Sequence, residues 1–191
     1  ILSSSYSGFG NGDLERDSQE LSALLWYLTC HLSGNEFALV GHSTGCQNSI
    51  HFLKHGMPEM VDRTKVVALQ APVSDREGAM LEPGYKEHVE MARSLVSQGK
   101  QDEMMPRKAF WAPITAQRFL DLQGKEGRDD FFSSDLSDDE LNERLSHVGD
   151  LPDRRVLVQF SGADEYVPFT VDKNATLNRL CNAMNSNNAV A

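Results

Sequence analysis

The pentapeptide Gly41-His42-Ser43-Thr44-Gly45 has the residue types and spacing of a serine nucleophile carried on a sharp turn between a strand and a helix. A serine hydroxyl is a weak nucleophile at neutral pH. The chemistry therefore needs a base to take its proton, a group to orient that base, and donors for the charge that develops on an attacked carbonyl oxygen. The turn itself supplies one of these, because the backbone amide of Thr44 opens a helix N-terminus and can donate to such an oxyanion. Glycines two before and two after Ser43 let strand and helix approach closely. The competing reading, in which the glycines only shape a tight turn, is weakened by the apolar strand pattern before them and the helical pattern after them.

Asp164, in Ser161-Gly162-Ala163-Asp164-Glu165-Tyr166-Val167-Pro168, follows a late apolar run and fits the acid in the chain order serine, acid, histidine. In that role it would hold an imidazole in one tautomer and stabilise the imidazolium formed as Ser43 loses its proton. A turn-forming Asp is the alternative, and Glu165 is a local rival. The base is harder to place. His31, His42, His51, His55, His88 and His147 all precede Asp164, where the order requires a histidine after it.

His42 is expected to pack or hydrogen-bond within the core. His147, closing a helix, is a surrogate base, and a histidine in sequence beyond this chain is the simpler expectation. His51 and His55 share a helix face at a metal-compatible spacing of four, but no third ligand is identifiable, so they read as ordinary helix residues. Asp129, Asp130, Asp135, Asp138 and Asp139 do not match an EF-hand loop and read as a solvated surface. Neither a metal nor an organic cofactor is expected.

These residues need elements to position them. Residues 1–2 look like the tail of a strand, and a Ser- and Gly-rich loop follows to Gly12. Leu14, Leu21, Leu24, Leu25 and Leu28 then mark one face of a helix ending near Gly34. Phe37 to Val40 is a short apolar run, the pattern of a strand buried on both faces, and leads straight into the pentapeptide. Cys46, Ile50 and Leu53 continue at helical spacing to about His55. Lys65 to Leu69 and Arg155 to Phe160 are further buried-strand patterns, and Val171 to about Met184 is a last helix.

Strand, helix and strand in this order predict a parallel sheet with right-handed crossovers. Ser74-x-x-Glu77 and Ser137-x-x-Glu140 match capping boxes, and Tyr85, Val89, Ala92 and Val96 mark a helix stopping at Gly99. The long stretch between the second and third strands is too long for a simple crossover. The expectation is one domain over residues 1–191: an α/β-hydrolase core, mostly parallel and doubly wound, at 1–72 and 154–191, with a helical cap inserted at 73–153. The chain opens at Ile1 without an initiator Met and ends about where another strand would begin, so truncation at both ends is expected.

Composition narrows the function classes. A net charge of -10 repels phosphate backbones and anionic headgroups, so no nucleic-acid or membrane partner is expected. Cys30, Cys46 and Cys181 lack paired zinc-site spacing and read as reduced thiols in a cytoplasmic protein. No apolar run approaches the roughly 20 residues that span a bilayer.

Taken together, Ser3-Ser4-Ser5-Tyr6-Ser7-Gly8-Phe9-Gly10, the extended pentapeptide Gly41-His42-Ser43-Thr44-Gly45-Cys46-Gln47, Phe131-Phe132-Ser133-Ser134-Asp135-Leu136-Ser137 and Asp164-Glu165-Tyr166-Val167-Pro168 resemble a fungal and plant family of poorly characterised α/β-hydrolases. That family includes esterases opening hydroxamate siderophores of the fusarinine type. The resemblance spans most of the chain and implies Ser43 as nucleophile and Asp164 as acid. It implies a small-molecule ester as substrate, hydrolysed through an acyl-enzyme. It also implies early strands, a second oxyanion loop and a late histidine outside the present sequence. The alternative class is a non-catalytic α/β-hydrolase-like protein that binds a ligand or partner.

Overall fold

The computed structural model describes all residues except 1, 5–7, 126, 151–152, 185–188 and 191, and only the backbone of 189–190. The elements run α1 (Leu14–Leu32), β1 (Phe37–His42), α2 (Thr44–His55), α3 (Pro58–Arg63), β2 (Thr64–Gln70), α4 (Asp75–Ala79), α5 (Tyr85–Ser97), α6 (Ala116–Gln123), α7 (Asp138–Leu145), a 3-10 turn (Ser146–Gly149), β3 (Arg155–Gln159), α8 (Lys173–Ala183) and β4 (Ala189–Val190). Leu2 lies outside any strand, and Ile1 and Ser5 to Ser7 of the opening loop fall outside the described residues. The chain divides into two compact units. One contains 1–13 and Ser74–Ser133, and the other Leu14–Val73 and Ser134–Ala191.

The second unit holds a four-stranded parallel sheet in the order β1-β2-β3-β4. Successive right-handed crossovers in one direction carry their helices to one face. On that face Val67, Leu69, Val156 and Val158 are buried, in register across β2 and β3, with Cys46, Ile50 and Phe52 of α2. Burying each such aliphatic side chain contributes about 1.5–3 kcal/mol.

The strand runs predicted as buried on both faces are buried on one. Val40 is 73% exposed, Val66 42% and Leu157 43%, all on the opposite face. A continuous apolar run hides this distinction, because nothing in it marks which side the crossovers will cover. Arg154, buried just before β3, donates to the carbonyls of Val61 (2.9 Å) and Thr64 (3.1 Å), tying the end of α3 and the start of β2 to β3.

Helix α1 packs on α2 with a mixed face. Leu14 and Leu25 are buried as the pattern predicts, but so are Ser18 and Ser22, while Leu24 is exposed. Small serines permit close helix approach, and their hydroxyls stay satisfied: Ser22 Oγ donates to the Ser18 carbonyl at 2.7 Å and accepts from the Met57 amide at 2.9 Å. Helix α7 opens with the predicted capping box, Ser137 N–H to Glu140 Oε2 at 2.7 Å and Glu140 N–H to Ser137 Oγ at 3.2 Å. It packs on α8, and the 3-10 turn packs on α2, so 134–150 group with the sheet.

In the first unit, Val89, Ala92, Met105, Ile114, Ala116, Phe119 and Leu122 form an apolar core between α5 and α6. The opening loop is seated on it: Thr115 N–H donates to the Gly10 carbonyl at 2.8 Å, and a Cβ at Gly10 would fall 1.9 Å from the Pro113 oxygen. Asp129 and Asp130, expected on a solvated surface, are buried. Arg118 Nη1 meets Asp129 Oδ1 at 2.7 Å, and Arg76 Nε meets Asp130 Oδ2 at 2.8 Å with side chains only 2% and 1% exposed. Ser133 Oγ also donates to Asp130. Asp135, Asp138 and Asp139 are exposed, as expected. Among the described residues no helix is long and apolar enough to cross a membrane.

Candidate active site

Ser43 is the single residue between β1 and α2, and its backbone is held at φ 54, ψ -125. A side chain rarely adopts this conformation, which costs about 1–3 kcal/mol and persists only where its surroundings over-determine it. Here they do. Ser43 N–H donates to the Gln70 carbonyl at 3.1 Å, so the turn is hung on β2, and Cys46 N–H returns to the Ser43 carbonyl at 2.8 Å. The Cys46 thiol lies 3.2 Å from the Gln70 oxygen and 3.3 Å from the Gly41 oxygen, fastening the first turn of α2 to both strands. Burial pushes that thiol up to about 12, so it stays a neutral S–H donor.

The two glycines of the turn differ in what they do. A Cβ on Gly41 would stand 2.4 Å from the Gly45 carbonyl oxygen and 2.8 Å from the Cys46 amide, so strand and helix meet closer there than any side chain permits. At Gly45 a Cβ would meet nothing of the described residues within 4 Å. Gly45 takes part in the close approach through its carbonyl.

Ser43 is half-buried, and although it occupies the N-cap position of α2 its hydroxyl makes no capping bond. The Thr44 amide begins the helix beside it, where unpaired N–H groups and the helix dipole favour negative charge. The next strand end is strained too: Ala71 has φ 53, with its N–H on the Gln159 carbonyl at 2.8 Å. Sequence reasoning missed this residue, since a residue before proline is biased towards extended backbone.

Asp164 lies on the loop after β3. Ser43 and Asp164 therefore stand at the same C-terminal edge of a parallel sheet, on strands separated by β2. Adjacent strands are about 4.8 Å apart, which leaves room for an imidazole between them. Asp164 is half-buried, its Oδ1 accepts from the Tyr166 amide at 3.1 Å, and Lys173 Nζ reaches its backbone carbonyl at 3.2 Å. Glu165 is exposed.

No histidine is hydrogen-bonded to Ser43 or Asp164 among the described residues. His42, expected in the core, is exposed instead, because strand alternation sends it with Ala38 and Val40 to the uncovered face of the sheet. His147 packs against α2 with Nε2 3.0 Å from the Ile50 carbonyl, about two turns beyond Ser43. Facing a carbonyl, Nε2 must carry the proton, and Nδ1 is buried with no hydrogen-bond partner among the described residues. Burial foremost holds this imidazole below its ordinary range.

Comparison with known proteins shows what the whole chain is similar to. The chain is 32% identical to fusarinine C esterase sidJ of Aspergillus fumigatus, over 100% of its own length and 68% of the relative's. It is 34% identical to the UPF0613 protein PB24D3.06c of Schizosaccharomyces pombe (92% and 60%) and 29% identical to esterase AN6793 of Emericella nidulans (94% and 63%). It thus spans roughly two thirds or less of the length of these relatives. A solved structure described as an alpha/beta hydrolase fold protein of unknown function superposes with a TM-score of 0.65 at 20% identity, covering 99% of this chain and 64% of that one, and shows the α/β-hydrolase fold. The resemblance seen in the sequence is thereby borne out for the fungal relatives. A family model described as "Protein of unknown function (DUF1749)" matches residues 1–190, and the chain belongs to that family.

Proposed function

We propose that this chain carries the nucleophile half of a serine esterase that hydrolyses a small-molecule ester through an acyl-enzyme. The observation that carries the reading is the Ser43 turn: a strained, over-determined backbone presenting a hydroxyl that makes no capping bond, at a helix N-terminus on the C-terminal edge of a parallel sheet. Two relatives bear esterase names, one of them for fusarinine C. A hydroxamate siderophore ester is accordingly the substrate class that analogy favours.

In this reading the Ser43 Oγ–H bond breaks as a histidine takes the proton, and Oγ adds to the ester carbonyl. The Thr44 amide donates to the resulting oxyanion, and collapse expels the alcohol with the proton returned from the imidazolium. Water then repeats the sequence on the acyl-enzyme. Asp164 orients the imidazole, and the serine, acid, histidine order places that histidine after Asp164 in a polypeptide longer than this chain. The three cysteines stand as free thiols, in keeping with a cytoplasmic setting.

The test is covalent labelling with a fluorophosphonate, which requires an activated serine. The longer polypeptide should label at Ser43, Ser43→Ala should not label, and Asp164→Asn should label at least about 100-fold more slowly, since loss of the orienting acid in a triad drops turnover by about 10⁴. Labelling unchanged by Ser43→Ala would defeat the assignment. An absence of labelling in a folded longer protein would favour a non-catalytic binding role.

A further inference from the structure

We propose that Glu15, His51 and His55 form a binding site for a divalent transition-metal ion with zinc-like ligand preferences. His51 and His55 stand one turn apart on α2, with ring centroids 4.3 Å apart and planes inclined at 32°. Glu15, in the first turn of α1, brings a carboxylate to the same place, and one ligand atom from each of the three lies within 4.8 Å of the others. Zinc with nitrogen and oxygen donors at about 2.0–2.1 Å holds tetrahedral ligands roughly 3.3 Å apart, so closing the site takes at most about 1.5 Å of movement. Glu15 and His55 are exposed and can make that movement by side-chain rotation, while half-buried His51 serves as the fixed point.

The outer contacts are those of a metal site. Ser18 Oγ lies 2.7 Å from His51 Nδ1, and Gln19 Nε2 donates to Glu15 Oε1 at 3.0 Å. Metal-bound histidines commonly use one ring nitrogen for the ion and the other for such a partner, and ligating carboxylates are themselves hydrogen-bonded. With Nε2 as ligand, His51 Nδ1–H donates to the Ser18 oxygen, which fixes tautomer and ring plane together. Both outer partners sit on the turn of α1 that follows Glu15.

Two imidazoles and one carboxylate select zinc, nickel or copper over calcium or magnesium, and three protein donors leave a coordination position for water or an outside ligand. An ion here would cross-link α1 to α2, the helix that begins directly after Ser43. Sequence spacing alone offered the two histidines. The third ligand came from packing.

Zinc titration of the metal-free 191-residue chain by calorimetry, with cobalt absorption as a spectroscopic readout, tests this. One equivalent should bind, raise the thermal midpoint, and give tetrahedral cobalt bands. His55→Gln and Glu15→Gln, both at exposed positions, should weaken binding by at least about tenfold, and Ser18→Ala by about 10- to 100-fold, with unchanged circular dichroism. Cys30→Ser should bind as the parent, since that exposed thiol is the competing zinc ligand. Ser43→Ala should also bind as the parent, so this result stands or falls apart from the esterase reading. Binding that survives both His55→Gln and Glu15→Gln, or that disappears with Cys30→Ser, overturns the assignment, as does the absence of any zinc-dependent signal.

Discussion

At Ser43 the backbone and the side chain make opposing demands, and this separates stability from chemistry at one position. The φ of 54 favours glycine, whereas nucleophilic attack requires a hydroxyl. Ser43→Gly should therefore raise the thermal midpoint, with a gain of up to about 1–2 kcal/mol after glycine's own entropic cost. Ser43→Ala keeps the Cβ and should leave stability within about 0.5 kcal/mol. Both should abolish fluorophosphonate labelling. Thermal unfolding of the three proteins side by side checks this, and a Ser43→Gly midpoint below that of Ser43→Ala would mean that the turn is not strained in solution. The Ser43 turn was legible in the sequence because its requirements are local: an apolar strand, close-packing glycines and a helix start all lie within one short window. His42 and Glu15 were not legible. The exposure of one depends on which face of the sheet is covered, and the ligand role of the other depends on how α1 lies on α2.

Elements were easier to find than their faces. The helices read from Asp13, from Tyr85 and from Val171, and the strands read from Phe37, Lys65 and Arg155, start within a residue or two of the observed elements. What periodicity could not reveal is which charges are buried, since Asp129-Asp130 looks the same in sequence whether solvated or paired. The pairing is settled by Arg76 on α4 and Arg118 on α6, far apart in the chain. A buried pair is costly to break at one end only, because the surviving charge is left without compensation. Arg76→Met alone and Asp130→Leu alone should each destabilise the protein by about 3–5 kcal/mol, and the double substitution by much less than their sum. Urea unfolding of the four proteins in a double-mutant cycle measures the coupling. Additive losses would mean that the pair does not act as a unit.

On the scale of the whole molecule, no histidine among the described residues is hydrogen-bonded to Ser43 or Asp164 at the sheet edge, and on the proposed reading this decides what the chain can do by itself. All six histidines precede Asp164, and the one weighed as a substitute, His147, is committed to the Ile50 carbonyl on the far side of α2's first two turns. The 191-residue chain should therefore turn over an activated acyl ester at close to the background rate. On the proposed reading, a longer polypeptide that completes the strand begun at β4 and carries a histidine on the loop beyond it should do so in a Ser43-dependent way. Serine hydrolases that lose a triad member retain about 10³–10⁴ over water from the oxyanion hole and substrate binding. On the proposed reading the Thr44 amide is one of two oxyanion donors, and acting without its partner typically costs about 10²–10³ in turnover, which would take that remainder close to background. The two deficits need not multiply, because the members of the machinery act together. The measurement compares the chain, the extended polypeptide, and the extended polypeptide bearing Ser43→Ala on the same ester. Substantial turnover by the chain, lost on His147→Ala, would require His147 to leave Ile50 and act as the base. Equal background rates in all three would move the reading from esterase to binding protein.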